Sequence, residues 1–246
     1  LRRSGGQCKM SESVTSAEER AEAIRAAFRL QAAMCAASGS HLTAQVCTTL
    51  ADGLDDSSRT GARILGWRGA PMADALMMRI TGGLNALARS GADAALTALY
   101  ANGQGDFSTI LRDALHQHDD ALFGWLDGPP QTNEVARSAA LWPGVLAVAR
   151  QYGPKVELLE LGASGGLNLN MDRFGYDLGG TLTGDAASPV QMTPAWSGAP
   201  PIDAPVEILR RAGVDLNPLD LTDPAIAHRM LAYIWPDQRQ RVARGA

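Results

Sequence analysis

The residues best suited to chemistry lie in Lys155-Val156-Glu157-Leu158-Leu159-Glu160-Leu161-Gly162-Ala163-Ser164-Gly165-Gly166-Leu167-Asn168. An apolar run with an acidic residue near its end passes through small residues and opens into helical text. A strand, a glycine turn and a helix start bring backbone N–H groups and a positive helix end to the carboxyl edge of a sheet. Nucleotide-like ligands bind at that edge in open α/β folds. A dinucleotide fingerprint requires G-x-G-x-x-G. Here Ser164 stands two residues after Gly162, which argues against an NAD-type oxidoreductase. The pattern present is acidic-x-Gly-x-small-x-Gly, carried by Glu160, Gly162, Ser164 and Gly166. Serine is small enough for a tight turn but adds a Cβ where a ligand would approach. The plain alternative is a turn that only packs a helix on a strand.

A second constellation, Gln131-Thr132-Asn133-Glu134, precedes the helix that leads into this strand. Asn133 or Thr132 reads as an N-cap, with Glu134 favouring the positive helix end. A sharper reading sets this turn across from the glycine turn, where Asn133 and Glu134 touch ligand. Arg137, one turn on, has the geometry to bind a carboxylate bidentately or to pair with Glu134. His116-Gln117-His118 sits in helical text, where i,i+2 side chains diverge, so it is a poor metal pair. Cys8, Cys35 and Cys47 have no metal-type spacing. Cys35 and Cys47 read as buried thiols. Trp67, Trp125 and Trp142 read as core, the last packing its helix on the sheet. Trp196 and Trp235 are candidate pocket walls.

These residues need elements to hold them. From Ser16 to Tyr152 the text is rich in alanine and leucine at helical spacing, with a capping box at Ser16 and Glu19. Helices are predicted there, over 40–54, and over 57–66, 72–90, 92–101, 106–126 and 133–151. After Gly153 the texture changes. Strands are predicted over 156–161, 174–178, 181–183, 206–209 and 214–221, the last ending at Asp220. A helix opens at Asp223-Pro224, and a basic tail helix over 238–244 follows. The expectation is an α/β protein in two parts: a helical domain over 16–152 and an α/β domain over 153–246. Residues 1–9 are patternless and read as an artefact upstream of a natural start at Met10.

The bulk numbers exclude several classes. The net charge is −4 over 246 residues, so there is no basic footprint for nucleic acid. No apolar run approaches the roughly 18 residues that span a bilayer, so no membrane is expected. The N-terminus has no signal-peptide core. An odd cysteine count without a secretion signal points to a cytoplasmic protein with reduced thiols.

The glycine pattern resembles the first motif of class I S-adenosylmethionine (SAM) methyltransferases, usually acidic-x-Gly-x-Gly-x-Gly, with Ser164 in place of the middle glycine. Beyond it, several stretches resemble a bacterial family known as domain of unknown function 2332, itself similar to SAM-dependent methyltransferases. They are Arg63-Ile64-Leu65-Gly66-Trp67, Gln131-Thr132-Asn133-Glu134-Val135 and the glycine turn with its continuation Asn168-Leu169-Asn170-Met171-Asp172-Arg173-Phe174-Gly175-Tyr176-Asp177. Gly184-Asp185-Ala186-Ala187-Ser188-Pro189-Val190, Asp215-Leu216-Asn217-Pro218-Leu219-Asp220 and Tyr233-Ile234-Trp235-Pro236-Asp237-Gln238 complete the set. The resemblance implies a Rossmann-like second domain, SAM as cofactor and methyl transfer to a small-molecule substrate. It implies that SAM lies over Gly162, Ala163, Ser164 and Gly166, that Glu160 orients the turn, and that the segment with Asn133 folds over the ligand. It also implies a carboxylate at the end of the second strand for the ribose hydroxyls. Asp177, 17 residues after Glu160, is the first choice, with Asp172 and Asp185 as rivals. Asp220 is expected at a strand end facing the adenine side. Asp220 and Glu134 are the candidate bases. Asn217-Pro218-Leu219-Asp220 lacks the aromatic residue of the Asn-Pro-Pro-aromatic motif of amino-group methyltransferases, and that assignment is rejected. Members of the family have more strands, so the second domain is expected to be incomplete at its C-terminus. Its open sheet edge would then need a cover or a partner chain, which leaves a homo-oligomer open. The rival reading is a non-catalytic ligand-binding or scaffold protein that keeps the fold.

Overall fold

The computed structural model describes residues 16–238 and residue 241. The segment 1–9, Cys8, the Met10 start and most of the tail helix predicted over 238–244 lie outside the described residues. Seven helices come first: α1 (Ala17–Ala37), α2 (His41–Gly53), α3 (Arg59–Leu65), α4 (Leu76–Ser90), α5 (Ala94–Asn102), α6 (Phe107–Gln117) and α7 (Asp119–Phe123). The predicted capping box opens α1: Glu19 N–H donates to Ser16 Oγ, and Ser16 N–H donates to the Glu19 carboxylate. Phe28, Val46, Leu50, Ile64, Ile80, Leu84, Leu96, Leu111 and Leu122 form one buried core among these helices. Cys35 and Cys47 are fully buried free thiols, Cys47 within this core.

Two boundaries differ from the sequence reading. The single helix predicted over 106–126 breaks at His118, because Asp119 is drawn to the start of α3. Its carboxylate accepts the Arg59 and Thr60 N–H groups at 3.0 and 2.8 Å. The helix predicted from residue 72 begins at Leu76. Trp67 Nε1 donates to Asp74 at 2.8 Å, and Ala75 turns left-handed with φ of 52°.

The remaining chain contains α8 (Ser138–Tyr152), β1 (Lys155–Leu161), a 3₁₀ segment (Leu167–Arg173), β2 (Gly175–Leu178), β3 (Thr181–Gly184), β4 (Gln191–Met192), β5 (Glu207–Val214) and α9 (Pro224–Ala232). It has two small sheets. β1 and β5 pair in parallel, ending in register at Leu161 and Val214. β3 and β4 flank β2, antiparallel and parallel respectively. A parallel pair needs a crossover, and here the crossover carries the whole second sheet. A second core holds the parts together, with Val135, Trp142, Leu146, Met171, Phe174, Tyr176 and Leu178 buried. Trp142 packs against β2, stacking on Tyr176 at 5.9 Å.

The two strands predicted over 206–209 and 214–221 are corrected to one, Glu207–Val214. Arg210 and Arg211 fall between the two predicted strands. In the fold Arg211 donates to the Leu169 carbonyl at 2.9 Å and pairs with Asp172, so its charge sits inside the strand at little cost. Residues 215–223 form turns, and Asp220 is not at a strand end.

α9 starts as predicted, with Asp223 accepting the Ala225 N–H at 2.8 Å and proline at its first position. It then returns to the helical part. Asn85 on α4 donates to the carbonyls of Ala232 and Ile234 at 2.9 and 3.0 Å. Gly82 makes room for Tyr233, whose ring would lie 2.6 Å from a Cβ there. Asp237 accepts the Leu42 N–H at 3.0 Å and the Ser40 hydroxyl at the start of α2. Among the described residues no helix is long and apolar enough to cross a membrane.

Asn85 is 3% exposed, so Asn85→Ala leaves two carbonyls without their donor in a dry setting. We expect a loss of about 2–3 kcal/mol in urea denaturation. Amide exchange across 224–234 should rise more than exchange in α1 and α2.

Candidate functional site

The carboxyl ends of β1 and β5 carry the site. Gly162 and Ala163 N–H both donate to the Val214 carbonyl, at 2.8 and 3.1 Å, which ties the glycine turn to the neighbouring strand. Gly162, Ser164 and Gly166 are all left-handed, with φ of 72°, 52° and 70°. That conformation is easy for glycine and costs of order 1 kcal/mol for serine. A Cβ at Gly162 would meet nothing within 4 Å, whereas one at Gly165 would lie 2.4 Å from Leu221, and one at Gly213 would lie 2.7 Å from Ala163. Gly165 and Gly213 thus serve packing, and Gly162 fronts open space. The Ser164 carbonyl accepts the Leu219 N–H at 3.1 Å, so the 215–221 loop lies along the turn.

The carboxylate beside the turn is Asp215, the residue that follows β5. It accepts the Ser164 N–H at 2.8 Å and the Asn217 N–H at 2.9 Å. The backbone N–H groups of Asn217 and Ser164 hold it below the usual carboxylate range. Asp177, expected at the ribose, follows Glu160 on the second strand in chain order. That strand belongs to the other sheet, and Asp177 accepts the Gly180 N–H at 2.8 Å within the β2–β3 hairpin. Neither rival stands at the carboxyl ends of β1 and β5: Asp172 lies in the 3₁₀ segment and pairs with Arg211, and Asp185 follows β3 and accepts the Ala187 N–H at 2.8 Å. Asp220, exposed, accepts the backbone and hydroxyl of Thr222, which hold its carboxyl low. The signal for Asp215 was in the sequence, as an aspartate closing a Val/Ile-containing run just before Asn-Pro. The intervening sheet hid it by lengthening the crossover.

The segment 131–138 does lie across from the glycine turn. Asn133 Oδ1 accepts the Leu167 N–H at 2.7 Å, capping the 3₁₀ segment that follows the turn and not its own helix. Glu134 caps the short 135–137 turn through the Ala136 N–H at 3.0 Å and pairs with Arg241. That turn delays α8 to Ser138, later than the predicted start at 133. Gln131 exchanges amide bonds with Asn217, donating to its carbonyl at 2.8 Å and accepting from its Nδ2 at 2.5 Å. Ser138 donates to Asn168 Oδ1 at 2.9 Å. Five consecutive-region N–H groups, those of Gly162, Ala163, Ser164, Gly166 and Leu167, therefore already have protein acceptors.

Three buried polar atoms at this turn, Glu160 Oε2, Ser164 Oγ and Asn168 Nδ2, have no hydrogen-bond partner among the described residues, as is also true of Asp172 Oδ1 on the 3₁₀ segment and of Tyr233 Oη in the helical part. Such atoms are rare and mark a place for a ligand, water or strain. Burial pushes the Glu160 carboxyl above its ordinary range, opposed by the Asn168 side chain and the Arg137 guanidinium. Among the described residues no group of His, Cys, Asp or Glu could hold a metal. His116 contacts the Ser57 hydroxyl at 3.1 Å and His118 faces Asp93 at 3.3 Å, both remote in the helical part. Trp196 packs on the second core and Trp235 Nε1 meets Met78 Sδ at 3.4 Å, so neither walls this site.

The fold and site define a mixed helix-and-sheet protein with a glycine turn at the end of a parallel strand pair. The chain belongs to the family described as uncharacterized protein conserved in bacteria (DUF2332), whose family model matches residues 25–245. No curated protein and no solved structure matches it.

Because the Glu160 carboxyl is raised, its linked stability is complete below the ordinary glutamate range and is lost as pH rises through the raised value. Glu160→Gln should therefore melt higher than the wild type at neutral pH. The gap should close in acid, as calorimetry across pH will show.

Proposed function

We propose that the chain is a SAM-dependent methyltransferase acting on a small molecule, with a Rossmann-like strand pair as its cofactor platform. One observation carries this reading: the glycine turn after β1 lies beside Asp215, the carboxylate that follows its parallel neighbour. A nucleoside needs that pair, a turn it can approach closely and an acceptor for two ribose hydroxyls. The open space in front of Gly162 and the unpartnered Ser164 hydroxyl fit a ligand at the turn. Glu160, Gly162, Ala163, Ser164 and Gly166 would hold the amino-acid end, Asp215 the ribose, and Asn133 would fix the turn from behind. When bound, SAM supplies an activated methyl group. The chain's own residues would align an acceptor with it, and alignment can provide much of the rate.

A second reading, a ligand-binding or scaffold protein without turnover, draws on a different observation. The turn's N–H groups are largely taken by protein acceptors. Isothermal titration calorimetry with SAM and S-adenosylhomocysteine separates the possibilities. Methyl transfer requires micromolar binding that Gly162→Val abolishes and that Asp215→Asn weakens about tenfold, the loss of one charge-assisted hydrogen bond. Binding without methylated product in an acceptor screen would favour the second reading. Absence of binding would sink both adenosyl readings.

A further inference from the structure

Cys35 and Cys47 are the two free thiols among the described residues, and the site at the glycine turn uses neither. Cys35 stands in the last turn of α1 and Cys47 in the middle of α2, and both are 0% exposed. Their side chains hydrogen-bond each other across the two helices. Contact between the sulfurs meets the requirement that excludes most cysteine pairs from bonding. The Gln31 amide, one turn back on α1, donates to Cys35 Sγ at 3.4 Å. Donors to a sulfur favour its thiolate. The bond from Cys47 brings the Cys35 thiol down to about 7, outweighing burial and the nearby Asp237 carboxylate. The same bond, with burial, pushes Cys47 up. One thiol is set to ionise and the other to keep its proton, whereas thiols in purely apolar surroundings are raised and inert.

We propose that Cys35 and Cys47 form a reversible redox lock between α1 and α2, closed by hydrogen peroxide and opened by a dithiol. The Cys35 thiolate attacks one peroxide oxygen, the O–O bond breaks, hydroxide leaves and Cys35 becomes a sulfenic acid. The Cys47 sulfur then attacks the Cys35 sulfur, and its proton leaves with the hydroxyl as water. The two thiols lose two hydrogens and two electrons, and the peroxide becomes two waters. Peroxide is little larger than water and reaches Cys35 from the end of α1, where residues 36–39 are exposed and a helix opens most readily. The bond closes the chain around the turn whose Ser40 hydroxyl donates to Asp237, so the lock secures the seat of the C-terminal return on α2.

The test uses the full chain carrying Cys8→Ser, so that the third cysteine cannot compete. Mild hydrogen peroxide under native conditions should remove two hydrogens from the intact mass. Peptide mapping without reductant should show Cys35 joined to Cys47, and dithiothreitol should reverse the change fully. Adding Cys47→Ala should leave a sulfenic acid at Cys35 that dimedone traps. Adding Cys35→Ala instead should give at least about tenfold less trapping at Cys47, the thiol that keeps its proton. The linkage itself is read with the core intact, so a variant that fails to fold leaves that result standing. Thiols that stay unreacted while circular dichroism shows a folded chain overturn the proposal. So does a linkage that forms only after urea has unfolded the chain.

Discussion

The site depends on the parallel pairing of β1 with β5. Because the strands end in register, one carbonyl, that of Val214, can accept two N–H groups of the glycine turn, and the next residue, Asp215, can accept a third. Shift that register and the turn loses its anchor, the carboxylate loses its place beside it, and Gly213 no longer clears Ala163. The left-handed turn residues are tolerable because these bonds over-determine them.

A parallel pair cannot be closed by a tight turn, and this chain closes it with a folded excursion. The 3₁₀ segment and the small sheet between β1 and β5 supply a core of their own, centred on Trp142 and Tyr176. That core also seats α8 and fixes the entry to β1. The price of this arrangement is a mid-strand arginine, and Arg211 answers it by bonding back to Leu169 and Asp172 in the excursion it closes.

The helical part is more than a neighbour. Gln131 and Asn133 reach from its exit to the 215–221 loop and to the start of the 3₁₀ segment, while α9 returns to α4 through Asn85 and Tyr233. The chain therefore crosses between the helices and the strand pair twice. Motion of the 131–138 segment would be felt at the glycine turn through hydrogen bonds, without any change in the strands.

The sequence by itself determined the elements whose causes are local: the capped α1, the apolar run of β1, the glycine turn, and the Asp-Pro start of α9. It also placed Asn133 near that turn as one of two readings. Tertiary structure alone decided which strand lies beside β1, and so which carboxylate stands at the turn. Asp177 follows the second strand in chain order, but hydrogen bonding put it in another sheet and gave Asp215 the position. Strand neighbours are chosen by long-range burial and backbone pairing, which leave little trace in local spacing. The same reason explains why one strand runs through Arg210-Arg211 and why the helix over 106–126 breaks at His118: in each, a charged side chain found its partner far along the chain.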